Sequence, residues 1–374
     1  MINMYIKHST ISNIVKAVIQ LSVKEDTVVL LAIADKNKPD IPELIRQLNQ
    51  TDVTFIGGIF PGVIDGNNCY EEGTKLFVLP VIEQPLLVKN ISQNSFQLPE
   101  WANSMEKAGK KYMAMIIIDG FSSNISGFLT NVFDSLGGSV SYIGGGAGCI
   151  QKHQPCIFTP EGFFQDAAVI AVVRSEGLLG VGHGFKRLAG PIIVTRTYDN
   201  VIAELNWENA FTVYKKIVER NCGQIVTMDN FLEFSNDYLF ILTRECSEDV
   251  VRTPIGVRLS GELIFFCEVP ENTVLYIAKG EQNSILEAAG QIGRGHQGLL
   301  GESIRTTMVF ECMGRRAILQ EKIELELATV NDDLIKNFGV GLAGGMLTFG
   351  EIASDGNGFL EYYNKTLVVG AFYE

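Results

Sequence analysis

Four consecutive stretches decide the fold: YMAMIIID at 112–119, SGFLTNVFDSLG at 126–137, SYIGGGAGCI at 141–150 and AAVIAVV at 167–173. The first and last are continuous apolar runs, which are typical of strands covered on both faces. The second has the apolar spacing of an amphipathic helix and ends at a glycine, the usual residue just past a helix. The third contains a glycine pair. Together they predict a strand, a helix, a glycine-containing strand and another strand.

The same order of elements occurs near both ends of the chain. The N-terminal copy comprises 27–34, 40–49, 54–64 and 74–82, and the C-terminal copy comprises 305–312, a helical stretch before Phe338, 343–352 and 365–372. Their glycine pairs are 57/58 and 344/345, each followed by another glycine and an isoleucine. Chance similarity in a glycine-rich chain is the alternative. The shared element order favours an internal repeat.

A stretch of different character separates the second and third copies. A strand is predicted over 192–196, a helix from about Asn209, and several short strands around turns at 260–261 and 271–272. We therefore predict an α/β chain of mixed α+β content. It should form two lobes of mixed β-sheets packed with helices, built from repeated strand–helix–strand–strand units, with the lobes at 1–205 and 206–374.

Composition restricts the classes of function. The 374 residues include 30 Lys+Arg and 43 Asp+Glu, a net charge of −13, which disfavours nucleic acid and anionic membranes because both require a cationic surface. No run reaches the ~20 apolar residues of a membrane span, and no signal-peptide pattern is present. The 7 cysteines lack a CxxC pair, which argues against a zinc site. We expect a cytoplasmic protein without membrane insertion.

Two glycine-rich stretches invite comparison with phosphate-binding loops. GGGAG at 144–148 and GQIGRGHQGLLG at 290–301 lack both the Gly-Lys-Ser/Thr ending of a P-loop and a clean GxGxxG pattern. Tight turns between neighbouring strands are the better interpretation.

Charged side chains near strand ends could hold a zwitterion. A guanidinium group donates two parallel hydrogen bonds to a carboxylate, so Arg252 and Arg315 are candidates for binding a ligand carboxylate. Glu351 could then bind the ammonium group. Ordinary ion pairing within the protein is the alternative for all three.

Cys312 and His183 could carry chemistry of other kinds. Cys312 precedes Arg315 and Arg316, which could lower its pKa and make it a nucleophile, although no histidine partner is recognisable. A buried, inert thiol is the alternative. His183 lies between glycines in GVGHGF (180–185) and could be the single axial ligand of a haem iron, or a structural histidine. Covalent haem is excluded because the chain has no CxxCH.

Several motifs, in order along the chain, carry a family resemblance. They are IGGGAG (143–148), GHGF (182–185), VPENTVLYIAKG (269–280), FECMGR (310–315), GGMLTFGEI (344–352) and YYNKTLVV (362–369). In this arrangement the chain resembles the FIST family in its two halves, FIST-N and FIST-C, from about residue 25 to 372.

The resemblance implies a sensory, ligand-binding module of signal transduction and not an enzyme. Such domains are proposed to bind small ligands, amino acids among them, and some members bind haem, sense nitric oxide and signal to a histidine kinase. The resemblance also implies that output acts in trans, because no output domain fits in this chain. Its pattern residues are Cys312, Gly314, Arg315, Gly350, Glu351, Asn364 and Thr366.

We therefore predict a stand-alone sensor for a small metabolite, such as an amino acid, with a histidine kinase or another signalling protein as partner. The predicted ligand-binding residues are Arg252, Cys312, Arg315, Glu351 and Asn364. No catalytic residue, metal site or cofactor is expected. The alternative is a haem-based nitric-oxide sensor with His183 on the iron.

Overall fold

The computed structural model describes residues 2–21, 26–93, 112–244, 247–293, 304–355 and 359–373. The first elements are β1 (Asn3–Ile6), α1 (Ile11–Gln20), β2 (Thr27–Ala34), α2 (Ile41–Leu48), β3 (Phe55–Phe60), β4 (Gly62–Asp65), β5 (Asn68–Tyr70), β6 (Thr74–Pro80) and β7 (Leu86–Lys89). Next come β8 (Tyr112–Asp119), α3 (Ile125–Leu136), β9 (Val140–Ala147), β10 (Ile157–Thr159), β11 (Gly162–Phe164), β12 (Ala167–Val173) and β13 (Glu176–Gly182).

The second half of the chain contains a long β-rich stretch and then the third copy. The stretch consists of β14 (Lys186–Tyr198), β15 (Val201–Leu205), β16 (Glu208–Asn209), α4 (Ala210–Cys222), α5 (Phe231–Ser235), β17 (Tyr238–Leu242), β18 (Val250–Arg252), β19 (Pro254–Val257), β20 (Leu263–Phe265) and β21 (Val274–Lys279). The remaining elements are α6 (Gln282–Ala289), β22 (Ile304–Cys312), α7 (Met313–Leu319), a 3-10 turn (Gln320–Lys322), α8 (Ile323–Phe338), β23 (Gly344–Thr348), β24 (Glu351–Ser354), β25 (Glu361–Tyr363) and β26 (Leu367–Tyr373).

Three sheets share one strand order, which confirms the predicted repeat. In each copy the first strand pairs in parallel with the glycine-pair strand and antiparallel with the last strand. The resulting cores of the sheets are β6-β2-β3, β12-β8-β9 and β26-β22-β23. A preceding strand, β1, β7 or β13, then pairs with the last strand of each copy.

A hairpin exchanged between copies completes each sheet to six strands. After its glycine-pair strand, the chain crosses to a neighbouring copy: β4–β5 joins β23, β10–β11 joins β3, and β24–β25 joins β9. The exchange is cyclic, so the three copies form one unit that cannot separate without breaking sheets.

The glycine pairs allow this close approach of strands. A Cβ atom on Gly345 would overlap the carbonyl oxygen of Val309 on the adjacent parallel strand. Contacts between β3, β9 and β23 show that the three glycine-pair strands also meet one another. These glycines lie inside strands, so the tight turns expected for residues 144–148 are wrong for Gly144–Gly146. They serve the close packing of neighbouring backbones and do not form a phosphate loop.

The fourth sheet is inserted into the third copy, between β13 and β22. Its order is β18-β17-β21-β14-β15-β20-β19, with β16 on β15. The helices α4 and α5 pack on it, and the stacked rings of Tyr214 on α4 and Phe240 on β17 join helix and sheet. The strand predicted at 192–196 lies inside the longer β14. The lobe boundary at 205/206 stays a prediction; β13 pairs with β26, and β15 with β20, across it.

Local capping explains several helix starts. Thr10 accepts a hydrogen bond from the Asn13 N–H at the start of α1, and Asp40 accepts one from the Glu43 N–H at the start of α2.

The four sheets and the helices packed on them confirm the predicted mixed α/β class. Among the described helices, none is long and apolar enough to cross a bilayer.

Candidate ligand-binding site

A cavity of about 270 Å³ lies between the third copy and the inserted sheet. Three chain segments of the third copy form its floor: the junction of β22 with α7, the β23–β24 turn and the β25–β26 turn. The lining residues are Asn236, Thr253, Ile255, Phe266, Cys312, Met313, Gly314, Ala317, Thr348, Phe349, Gly350, Asn364 and Lys365.

Strand register brings these segments together. Cys312 pairs with Thr348 at the ends of two parallel strands, so both side chains reach the same edge of the sheet. The β23–β24 turn passes through Gly350 at φ +96°, and a Cβ there would collide with the Tyr362 ring. The Tyr362 hydroxyl donates to the carbonyl of Phe349, which fixes the turn against β25.

Lys365 ties the β25–β26 turn to the β22–α7 junction. Its backbone N–H donates to Cys312 Sγ at 3.2 Å, and its Nζ donates to the Gly314 carbonyl at 3.0 Å. The same Nζ lies 3.3 Å from Asn236 Oδ1. The lysine thus joins three walls of the cavity.

Cys312 is held as a thiol. Burial, reinforced by the neighbouring Glu351 carboxyl, raises the pKa of Cys312 to about 12. The prediction that Arg315 and Arg316 lower this pKa is therefore wrong, because desolvation outweighs the positive charges. Arg316 instead pairs with Glu71, 2.8 Å away. The alternative interpretation, a buried and weakly nucleophilic thiol, describes Cys312.

Glu351 lies directly behind the cavity wall. Its Oε1 accepts a hydrogen bond from Thr348 Oγ1 at 2.8 Å, and its Oε2 accepts one from the Thr366 N–H at 3.3 Å. Complete burial raises the pKa of Glu351 to about 8. At neutral pH this carboxyl is mostly protonated and presents little charge to a ligand.

Arg315 is part of an internal ion-pair network. Its Nε donates to Glu326 Oε1 at 2.8 Å, and its Nη2 donates to the same oxygen and to the carbonyl of Ile285. Nη1 donates to the carbonyl of His183. Glu311 Oε1 lies 3.5 Å from Nε. The fully buried Arg315 guanidinium therefore forms ion pairs within the protein, which was the alternative interpretation, and it does not line the cavity.

Arg252 is likewise engaged with the protein. Its Nε donates to the Glu268 carbonyl at 3.1 Å, and its Nη1 to the carbonyls of Tyr362 and Val251 at 3.0 and 3.2 Å. Cys312 and Asn364 line the cavity, whereas Arg252, Arg315 and Glu351 lie outside its lining. The structure does not assemble the two arginines and Glu351 into one open clamp.

His183 is buried and both ring nitrogens face protein groups. Nδ1 accepts a hydrogen bond from the Phe185 N–H at 2.8 Å, and Nε2 lies 3.3 Å from Glu248 Oε1. Burial, followed by the Arg315 charge, lowers the pKa of His183 to about 4. A neutral ring that accepts at Nδ1 carries its proton on Nε2. Neither nitrogen directs a free lone pair at an iron, so this arrangement does not fit an axial haem ligand.

Sequence reasoning missed Lys365, Phe266 and Thr253 as cavity residues. Lys365 stands inside the YYNKTLVV motif, but lysines are rarely buried, so its residue type does not predict a place in a cavity wall. Phe266 also lines a second, larger cavity of about 680 Å³ at the start of α3. Most of the glycine-rich stretch 290–301 lies outside the described residues.

Comparison with protein families gave two matches that together span most of the chain. The FIST N domain matches residues 27–208 and the FIST C domain matches residues 210–354. A search of curated proteins found no match. The motifs at 310–315 and 344–352, which form the floor of the cavity, fall inside the second match.

Proposed function

Because the chain belongs to the FIST family of signal-transduction sensory domains, we propose that it is a cytoplasmic sensor for a small metabolite, an amino acid or a similar molecule. Domains of this family are generally non-enzymatic. The ligand occupies the 270 Å³ cavity beside Cys312, and the signal passes in trans to a partner such as a histidine kinase.

One observation carries the proposal. Four residues that the family resemblance marked, Cys312, Gly314, Gly350 and Asn364, come from three separate chain segments and line one cavity. The three other marked residues lie directly behind this lining, where Arg315, Glu351 and Thr366 hold the segments by hydrogen bonds. A single concave site built from these segments supports ligand binding over a purely structural role.

The cavity wall suits a small ligand with an apolar part. Ile255, Phe266, Met313, Ala317 and Phe349 contribute apolar surface, and the volume lies near the lower end of known ligand sites. A few polar groups among apolar walls are typical of sites that orient a small metabolite.

The position of the cavity also supports a signalling role. The inserted sheet supplies Thr253, Ile255 and Phe266, and the third copy supplies the floor. A bound ligand contacts both and stabilises the arrangement in which they approach each other. A partner protein then binds preferentially to this ligand-stabilised arrangement.

A thermal-shift screen of amino acids and related metabolites tests the proposal on the full chain. A ligand at 100 times its dissociation constant stabilises the fold by about 2.7 kcal/mol, so a clear rise in Tm is expected. The Thr253→Trp variant fills the cavity and should lose the shift. Val274→Trp is the control, since Val274 is exposed on the same inserted sheet, outside the cavity lining.

Mass spectrometry of small molecules that co-purify with native protein complements the screen. The proposal is rejected when no compound shifts the Tm and none co-purifies. It is also rejected when Thr253→Trp and Val274→Trp respond equally to every hit, because binding then occurs elsewhere.

A further inference from the structure

Four cationic side chains are buried among the described residues: Lys75, Arg252, Arg315 and Lys365. Lys75 Nζ lies 2.5 Å from Asp65 Oδ1, and Arg315 Nη2 lies 2.5 Å from Glu326 Oε1. In the described part of the chain no carboxylate lies within 4.0 Å of Arg252 or Lys365. A buried charge without a counter-charge is unfavourable, so these two cations require an explanation.

Arg252 and Lys365 differ in where they lie. The Arg252 guanidinium is held by backbone carbonyls and does not line the cavity. Lys365 is only 4% exposed and lines it. An ammonium group has three N–H donors, and within the described residues the Lys365 Nζ uses two of them, on Gly314 and Asn236. One donor and a whole positive charge remain for a ligand.

The backbone holds Lys365 in this place under strain. Lys365 adopts φ +52°, a left-handed conformation that is unfavourable for a residue with a Cβ. The Lys365 N–H bond to Cys312 Sγ and the Thr366 N–H bond to Glu351 fix the turn in this conformation. Strained residues of this kind concentrate at ligand sites, where the surrounding structure enforces them.

The neighbouring Asn364 offers the opposite polarity. Asn364 is 3% exposed, and its Nδ2 donates to the Tyr363 carbonyl at 2.9 Å and to Cys267 Sγ at 3.4 Å. Its Oδ1 is buried without a hydrogen-bond donor in the described structure. A buried amide oxygen without a donor is unfavourable, and a ligand N–H group would satisfy it.

We propose that the cavity recognises a small apolar α-amino acid, whose carboxylate pairs with Lys365 Nζ and whose ammonium group donates to Asn364 Oδ1. The apolar side chain of the ligand packs against Phe266 and Phe349. This inference rests on the proposed function and gives the carboxylate to Lys365, a residue distinct from Arg252 and Arg315.

The groups around Lys365 are compatible with an anion. Cys312, at the end of β22, and Asp237, just after α5, are the titratable groups that act on the Lys365 charge. Burial raises the pKa of Cys312 and of Glu351 behind the cavity wall, so neither of these two repels a carboxylate strongly at neutral pH. Burial also lowers the pKa of Lys365, and this effect outweighs the opposing influence of Cys312 and Asp237.

Matched ligands test the inference without altering the protein. Isothermal titration calorimetry on the full chain compares alanine, valine, leucine, isoleucine, methionine and phenylalanine with their amides and with their des-amino carboxylates. For leucine these are leucinamide and 4-methylpentanoate. We expect at least one amino acid to bind, its amide to bind at least about tenfold more weakly, and its des-amino carboxylate to retain part of the affinity.

Two variants separate the two contacts. Lys365→Met should weaken the amino acid and the des-amino carboxylate equally, whereas Asn364→Leu should weaken only the amino acid. Lys322→Met is the control, since Lys322 is an exposed lysine outside the cavity. If a variant does not fold, the acid-against-amide comparison in the unaltered protein decides.

The outcomes distinguish this inference from the proposed function. If the amides bind as tightly as the acids, or if no amino acid of the panel binds, the inference is overturned. A neutral or cationic hit in the broader thermal-shift screen would then leave the sensor function intact. Loss of all hits there would remove both.

Discussion

Replacing Glu351 by glutamine should remove a pH dependence of stability that this one carboxyl imposes. Complete burial raises the pKa of Glu351 to about 8, against 4.5 in a solvated chain, although hydrogen bonds from Thr348 and Thr366 oppose the rise. Between those pH values the folded protein retains a proton that the unfolded chain releases. The stabilisation from Glu351 is therefore complete below pH 4.5 and is lost as the pH rises towards 8.

The magnitude follows from the size of this window. Each pH unit inside it lowers the free energy of unfolding by about 1.4 kcal/mol, so the step from pH 5 to pH 7 removes about 3 kcal/mol. Glutamine carries no such proton. Over the same step, wild type should lose about 3 kcal/mol more than Glu351→Gln.

Urea denaturation at pH 5, 6 and 7 and constant ionic strength measures the difference. Glutamine can accept from the Thr366 N–H with its Oε1 and donate from its Nε2 to Thr348 Oγ1, whose own proton is then donated to the Glu311 carbonyl. The variant is therefore expected to fold. Glu324→Gln, an exposed carboxylate on α8, is the control and should follow wild type. Parallel pH curves for Glu351→Gln and wild type would refute a buried, proton-retaining Glu351.

Three further predictions follow from the same structure. Cys312 should resist iodoacetamide at pH 7 and react only in urea, because burial raises its pKa to about 12; labelling of native protein within minutes, read by peptide mass spectrometry, would contradict this. Arg315→Met should lower the free energy of unfolding by about 3–5 kcal/mol, because it leaves a partner carboxylate buried and unpaired; a loss below about 1 kcal/mol would contradict it. Gly345→Ala should prevent or severely weaken folding, whereas Gly256→Ala, where a Cβ meets only ordinary contacts, should not. Equal stabilities in urea would show that the strands separate easily.

The haem alternative has its own spectroscopic prediction. Because both ring nitrogens of His183 face protein groups, purified protein and protein mixed with haemin should show no Soret band that depends on this residue. A Soret band lost in His183→Ala would instead establish haem binding and a gas-sensing role.

Much of the secondary structure was predictable because it depends on local sequence. The apolar run of β2 and the capping residue of α2, Asp40, are visible in the sequence and agree with the structure. The short hairpins β4–β5 and β10–β11 were not predicted. Their few residues form strands because a glycine-pair strand of another copy lies beside them, and no local pattern contains that information.

The site was predictable only in part, for a related reason. Cys312 and Asn364 were predicted as ligand-binding residues from the family resemblance, and both line the cavity. Arg315 looked available because its partner Glu326 lies on α8, beyond the next turn. No local pattern marks Lys365 as buried, because the groups that bind its ammonium, on Asn236 after α5 and on Gly314 in α7, are distant along the chain. The sequence shows which residues carry a charge, but it does not show which opposite charge lies beside a buried one.

The repeat itself explains why the proposed ligand site lies at one junction of strands and not at its equivalent. In the second copy Asp166, at φ +50°, donates its N–H to Asp119 at 2.8 Å, just as Lys365 donates to Cys312 in the third. The backbone N–H bond is equivalent in the two copies, but in the second copy both residues are acidic. His153 Nε2 also lies 2.9 Å from Asp119 Oδ2. An anion is disfavoured there. In the third copy a thiol and a lysine stand at these two positions and the inserted sheet lies over them, so the proposed site depends on both differences between the copies.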